Sequence, residues 1–128
     1  MRCLGTSFMI DLFQGDEEAR SLSAELDSSS EPVSAPAPAL AEFMLGANVA
    51  GGKYLASAVE FASTIDIFPI DKETAMLAAR IGADLMQKGQ RTGIVDAMIA
   101  AASIKSDAIL VTRDKAFSNI VGLAVQYY

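Results

Sequence analysis

The sequence predicts an α/β fold: a three-layer α/β/α sandwich around a mostly parallel sheet. Two observations carry this. Short strand-like runs alternate with helical stretches along the whole chain, an order that favours strands laid side by side with helices packed over them. One run, residues 107–112 (DAILVT), includes a continuous apolar stretch, as a parallel strand covered on both faces requires.

Taken in order, residues 2–6 (RCLGT) read as a short strand and residues 7–13 as a helix, with Ser7 as a candidate N-cap. Residues 16–28 form an amphipathic helix. Its first turn, Asp16, Glu17 and Glu18, complements the helix dipole, and Leu22 and Leu26 share a face. Serines 28–30 turn the chain. Residues 32–35 suit a short strand, which Pro36 and Pro38 end or confine to an edge because proline lacks an N–H. Residues 39–49 and 53–63 are helical, broken by Gly51-Gly52. Residues 65–70 form a strand, and Asp71 N-caps a helix over 72–88. Leu77, Ile81 and Leu85 form its stripe at i, i+4 spacing, and Gly89 suits its C-terminal cap. Thr92 is placed to N-cap a helix over 93–105. After the strand at 107–112 come a helical turn at 114–119 and a last strand at 124–127. The whole, residues 1–128, reads as a single domain.

Composition narrows the chemistry. The chain is 52% hydrophobic, which argues against disorder. It has one cysteine, Cys3, so no internal disulfide framework is expected, and a reducing compartment suits it. No apolar run approaches the roughly 20 residues of a membrane span, and no signal peptide is read at the N-terminus. The expectation is a cytoplasmic protein. There is no histidine, which excludes Ser-His-Asp and Cys-His nucleophile systems and HExxH zinc sites. Any catalysis must rest on carboxylates, hydroxyls, Lys, Arg or a hard metal ion. The net charge of −6 disfavours direct contact with nucleic acid unless cations intervene.

Parallel sheets place ligand sites outside the carboxyl ends of their strands. Three acids fall at such positions. Asp114 follows the strand at 107–112, Asp96 lies in the first turn of the helix after Thr92, and Glu42 lies in the first turns of the helix after the second strand. Each also has an ordinary structural reading: Asp96 as a helix N-terminal charge, Asp114 as a turn or N-cap residue, Glu42 as a solvated helix residue. Together they point to a cation. Two carboxylates about 4 Å apart repel by roughly 4 kcal/mol at an effective dielectric of about 20. Oxygen-rich clusters select Mg²⁺ or Mn²⁺.

Four stretches resemble one known family. Residues 3–12 (CLGTSFMIDL) are similar to the opening of PIN domains, especially VapC-type toxins, which usually read L-D-T-S-x-x-I-D-L. Residues 39–46 (ALAEFMLG), 93–101 (GIVDAMIAA) and 110–117 (LVTRDKAF, followed by Gly122-Leu123) resemble the family's later motifs, in order and at ordinary spacing. The resemblance implies a PIN-like fold and a metal-dependent endoribonuclease. In that family an acidic quartet binds Mg²⁺ or Mn²⁺ to activate a water against a phosphodiester, leaving a 5′-phosphate and a 3′-hydroxyl. On this sequence the metal ligands implied are Glu42, Asp96 and Asp114. Thr112 is implied as a hydroxyl beside them, with a plain β-branched strand residue as its other reading. The implied partners are an RNA substrate, a small cognate antitoxin and a second copy of the chain in a homodimer. Lys88, Arg91, Arg113 and Lys115 are candidates for a basic rim, or are ordinary surface charges. Phe43, Met44, Leu45, Tyr54, Leu55 and Phe61 are candidates for partner contacts, or fill the core.

The sequence departs from the family at Gly5, where the first acid is expected. Three readings stand: a degenerate, inactive toxin; a change selected against toxicity in an expression host; or partial substitution by Asp11. Each predicts weakened metal binding. The alternative function is a catalytically dead PIN domain that binds an antitoxin or RNA. A phosphoacceptor receiver domain ranks low because residues 2–6 contain no acid. A dinucleotide fold ranks lower, because no GxGxxG follows the first strand.

Overall fold

The computed structural model describes all residues 1–128. The elements are β1 (Arg2–Leu4), α1 (Thr6–Phe13), α2 (Glu17–Ser28), β2 (Val33–Pro36), α3 (Ala37–Ala50) and α4 (Gly52–Ala62). They continue with β3 (Asp66–Phe68), α5 (Lys72–Gln87), α6 (Ile94–Lys105), β4 (Ile109–Val111), a 3₁₀ turn (Lys115–Asn119) and β5 (Ala124–Gln126). The strands form one sheet in the order β3-β2-β1-β4-β5. Every pairing is parallel, so the "mostly parallel" sheet of the sequence reading has no antiparallel member.

Adjacent residues on the inner strands are buried alike: Cys3 and Leu4 on β1, Ser34 and Ala35 on β2, Leu110 and Val111 on β4. Neighbouring strand residues face opposite sides of a sheet. Helices therefore cover both faces, which makes three layers. The register sets Cys3 beside both Ser34 and Leu110, and Leu4 beside Val111. Strand order runs one way from β1 through β2 to β3 and the other way through β4 to β5. The reversal opens a crevice at the carboxyl ends of β1 and β4, where such sheets take ligands.

Local chemistry explains the boundaries. Asp71 caps α5 as expected, accepting from the Thr74 N–H at 2.8 Å and the Thr74 hydroxyl at 2.6 Å. Asp16 caps α2 by accepting from the Ala19 N–H. Gly89, at φ +75°, closes α5. The Gln90 N–H reaches the Leu85 carbonyl at 2.8 Å and the Gly89 N–H reaches that of Met86 at 3.0 Å, a Schellman motif. Asp107 plays the same part after α6 at φ +51°, with Ala108 bonding back to Ser103. It therefore ends a helix, and β4 begins two residues later than expected. Pro36 ends β2 on an inner strand, and Pro38 falls in the first turn of α3, where its missing N–H is not needed.

Two expected caps move. Gly5, not Ser7, precedes α1, and Gly93, not Thr92, precedes α6; neither helix has a side-chain cap. Ser7 lies inside α1, and its hydroxyl accepts from the Arg113 N–H instead. The proposed contact residues on α3 and α4 go mostly inward. Phe43 is buried, and the Phe13 ring packs against Phe43, Tyr54 and Phe61, while Phe43 also meets Phe61, with centroids 4.9–6.1 Å apart. Met44 and Leu55 also pack on the core, and of that group Leu45 alone is exposed. No helix is long and apolar enough to cross a membrane.

Candidate functional site

Three elements deliver the acids to the crevice. The register puts the end of β1 against the end of β4, and the Gly5 N–H donates to the Val111 carbonyl at 2.9 Å. Beyond Val111 the chain turns sharply through Thr112, Arg113 and Asp114. Glu42 stands on the exposed side of α3, and its Oε1 accepts from the Thr6 hydroxyl at 2.7 Å. Asp96 sits in the first turn of α6 and is partly buried.

The fields of these acids meet at Asp96. Burial pushes its carboxyl above the usual carboxylate range, and the charges of Glu42 and then Asp114 push it further. Residues 42, 96 and 114 therefore share one end of the sheet and do not scatter over unrelated faces. They do not form a closed cage, however: no three His, Cys, Asp or Glu side chains stand close enough together to hold a metal ion as they are. The two facts are compatible, because charges interact over several ångströms while ligands must meet at about 2.0–2.6 Å from one ion. An all-oxygen set with mutual repulsion suits Mg²⁺ or Mn²⁺ in kind.

Gly5, where the family resemblance expects an acid, lies in a tight space. Its backbone, at φ −76° and ψ 166°, is one any residue adopts. The space is not: a Cβ built there meets the Val111 carbonyl oxygen at 2.8 Å and the Thr112 Cβ at 3.4 Å. Since the close atom belongs to the backbone, β1 and β4 would have to part slightly to admit any side chain.

Thr112 is buried, and its hydroxyl accepts from the Asp114 N–H at 3.0 Å and shares a 3.2 Å hydrogen bond with the Ser7 hydroxyl. These contacts fold the turn that carries Asp114. Asp114 in turn accepts from the Ala116 N–H at 2.9 Å and caps the 3₁₀ turn, so its turn-forming reading holds beside its acidic one.

Asp11 belongs to a different constellation. Its Oδ2 accepts from the Tyr128 hydroxyl at 2.7 Å and lies 3.3 Å from Arg113 Nε. Arg113 also pairs with Asp16 at 3.1 Å and stacks 5.0 Å from the centre of the Tyr128 ring. Both carboxylates thus face the guanidinium, and Asp11 does not fill the gap at Gly5. Burial, and after it the bonded Asp11, push the Tyr128 phenol above its ordinary value. Sequence reasoning missed this network, which pins the residue before Asp114 to α1 and to the start of α2. Nothing in the local pattern marks Tyr128. Of the candidate basic rim, Arg113 is neutralised here and Lys88 pairs with Asp84 at 2.9 Å. Arg91 lines a narrow cleft with Thr92 and Asp96.

A VapC ribonuclease of Pyrococcus furiosus is 43% identical over 49 residues, 38% of this chain. That match spans 33% of the relative, about a third of its length. Among solved structures, VapBC2 from Rickettsia felis, bound to a DNA fragment from its promoter, superposes with a TM-score of 0.84 at 24% identity. The match covers 99% of this chain and 98% of that one, and at that identity it shows the fold. DNA-bound VapBC from Salmonella typhimurium matches with a TM-score of 0.84 at 25% identity, over 99% and 98% of the two chains. The sequence signature of the PIN domain matches residues 2–123, nearly the whole chain, and so the chain belongs to the PIN domain family.

Proposed function

We propose that this chain is a VapC-type, divalent-metal-dependent endoribonuclease whose activity is attenuated by glycine at position 5. The observation that carries the reading is the shared field of three acids, from α3, α6 and the turn after β4, at the carboxyl end of the sheet. Glu42, Asp96 and Asp114 are the residues that would hold the metal, Mg²⁺ or Mn²⁺. When bound, the ion supplies Lewis-acid stabilisation of charge at a phosphodiester. The chain's own contribution is orientation. Thr6 steers Glu42, while Thr112 and Ser7 fix the turn that presents Asp114. Metal also reconciles an acidic protein with an RNA substrate.

A second reading has its own support. A Cβ at position 5 meets a backbone oxygen, so the strands are fitted to glycine. That favours a PIN domain serving as a binding module for a small antitoxin or for RNA, without cutting. The antitoxin is suggested by the VapBC complexes among the similar structures, and a homodimer by the family resemblance.

RNA cleavage with and without Mn²⁺, by this chain, Gly5→Ala and Gly5→Asp, separates the readings. Attenuation predicts little cleavage by the first two and a metal-dependent gain in Gly5→Asp. Equal, robust cleavage by all three overturns the role given to position 5. No cleavage by folded Gly5→Asp favours the binding module.

A further inference from the structure

Arg113 ties the turn that carries Asp114 to three other parts of the molecule. Asp114 itself is exposed, and its own hydrogen bonds stay within the turn: its N–H donates to the Thr112 hydroxyl, and its carboxylate accepts from the Ala116 N–H. Such bonds shape the turn. They do not set where it stands relative to α3 and α6, which carry Glu42 and Asp96. Arg113 reaches further. Its N–H donates to the Ser7 hydroxyl of α1, its Nε lies 3.3 Å from Asp11 of the same helix, and its Nη2 lies 3.1 Å from Asp16 at the start of α2.

The partners of the guanidinium are themselves held. Asp16 accepts from the Ala19 N–H as it caps α2. Tyr128, two residues beyond the end of β5, lays its ring 5.0 Å from the guanidinium carbon and meets the Phe8 ring of α1 edge-on at 5.3 Å. The Tyr128 hydroxyl donates to the same Asp11 oxygen that faces Arg113, which closes a ring of three side chains. A planar guanidinium held at two nitrogens and over one face keeps little freedom. Arg113 is about half exposed, and ion pairs so exposed add little to stability. Their contribution here is placement.

We propose that Arg113 and Tyr128 are positioning residues for Asp114: clamped by Asp11 and Asp16, they set the turn after β4 where its carboxylate can share one divalent cation with Asp96 and Glu42. The inference rests on the metal reading above and adds to it the residues that place the third ligand. Hard cations take their oxygens at about 2.0–2.6 Å, so a ligand borne on an exposed turn depends on what holds the turn. Loss of such outer supports typically costs about 10–100-fold in metal affinity.

The test compares the full chain with Arg113→Lys and Tyr128→Phe. Both variants preserve charge at neutral pH, so a purely through-space effect predicts no change in either. Lysine loses the planar fork, and phenylalanine keeps the ring but loses the hydroxyl that holds Asp11. Without metal, amide hydrogen exchange at Arg113, Asp114 and Ala116 should quicken in both variants, with exchange in β1 and α5 unchanged and the melting temperature close to that of the unaltered chain. The Mn²⁺ dissociation constant, read from the electron paramagnetic resonance signal of free Mn²⁺, should rise about tenfold in Arg113→Lys and severalfold in Tyr128→Phe. Paramagnetic broadening should persist at Glu42 and Asp96 in the variants and fade at Asp114. Unchanged Mn²⁺ affinity in either variant, whatever its exchange shows, overturns that residue's role and leaves the metal reading standing. Faster exchange spread through β1 and β4 also overturns the proposal, since it marks a general staple of the fold. Absence of Mn²⁺ binding near Asp96 in the unaltered chain removes the metal reading and this inference with it.

Discussion

Asp96 is the carboxyl group on which the charges of the candidate site bear. Its pKa is raised in the folded chain, by burial first and then by Glu42 and Asp114. A carboxyl with a raised folded value favours folding while protonated. That contribution is full below the unfolded value and is lost as pH rises through the folded one. At neutral pH the ionised group therefore opposes folding unless a cation answers it. Asp96→Asn is expected to raise the melting temperature at pH 7 without metal, and to abolish the further rise that Mg²⁺ or Mn²⁺ gives the unaltered chain. Differential scanning fluorimetry across pH checks both, and the Asn gain should vanish below the usual carboxylate range. Gly5→Ala adds only the Cβ that meets Val111, so it should cost about 1–3 kcal/mol of stability, measured by urea unfolding. Gly5→Asp should show a similar loss, partly recovered on adding Mn²⁺. The sequence flagged position 5 through its family resemblance alone. That the strands have closed over it depends on the approach of β4, more than a hundred residues away in the chain.

At the scale of elements, strand and helix order was readable because short-range signals set it. Asp71 caps α5 where an acid precedes a helical stripe, and Gly89 ends that helix at a positive φ. Asp71→Ala should lower the melting temperature at pH 7. The Thr74 hydroxyl and N–H hold the Asp71 carboxyl below its ordinary value, so its stabilisation is present above the unfolded value and disappears as pH falls through the folded one. The gap between variant and parent should therefore close in acid, which melts at a series of pH values will show. Where the element reading missed, a long-range contact had intervened. Ser7 looks like a cap, yet its hydroxyl is taken by the Arg113 N–H and shared with Thr112. The apolar residues of α3 and α4 look equally fit for a partner or for the core. What decides is Phe13 of α1, which meets Phe43, Tyr54 and Phe61. Phe43→Ala removes a fully buried ring of that cluster and should cost about 3–5 kcal/mol in equilibrium unfolding.

Across the whole molecule, topology does what no segment can. The chain reverses its direction of strand addition at β1, and this alone brings residues 6, 42, 96 and 114 to one crevice. Their shared end of the sheet could be anticipated, because parallel sheets bring the segments that follow their strands to one edge. The Tyr128–Asp11–Arg113–Asp16 network could not, because its members come from both ends of the sequence and each is unremarkable in its own segment. Whether the acids close around an ion also lies beyond the sequence. It depends on side-chain rotation, with Glu42 now held by Thr6. That these separated oxygens serve one cation can be read from paramagnetic broadening by Mn²⁺ in the amide NMR spectrum. Substoichiometric Mn²⁺ should first bleach the resonances of Thr6, Glu42, Asp96 and Asp114, spare those around Asp11 and Asp16, and lose this selectivity in Asp96→Asn. Bleaching centred on another acidic patch, or an identical pattern in Asp96→Asn, would contradict the account.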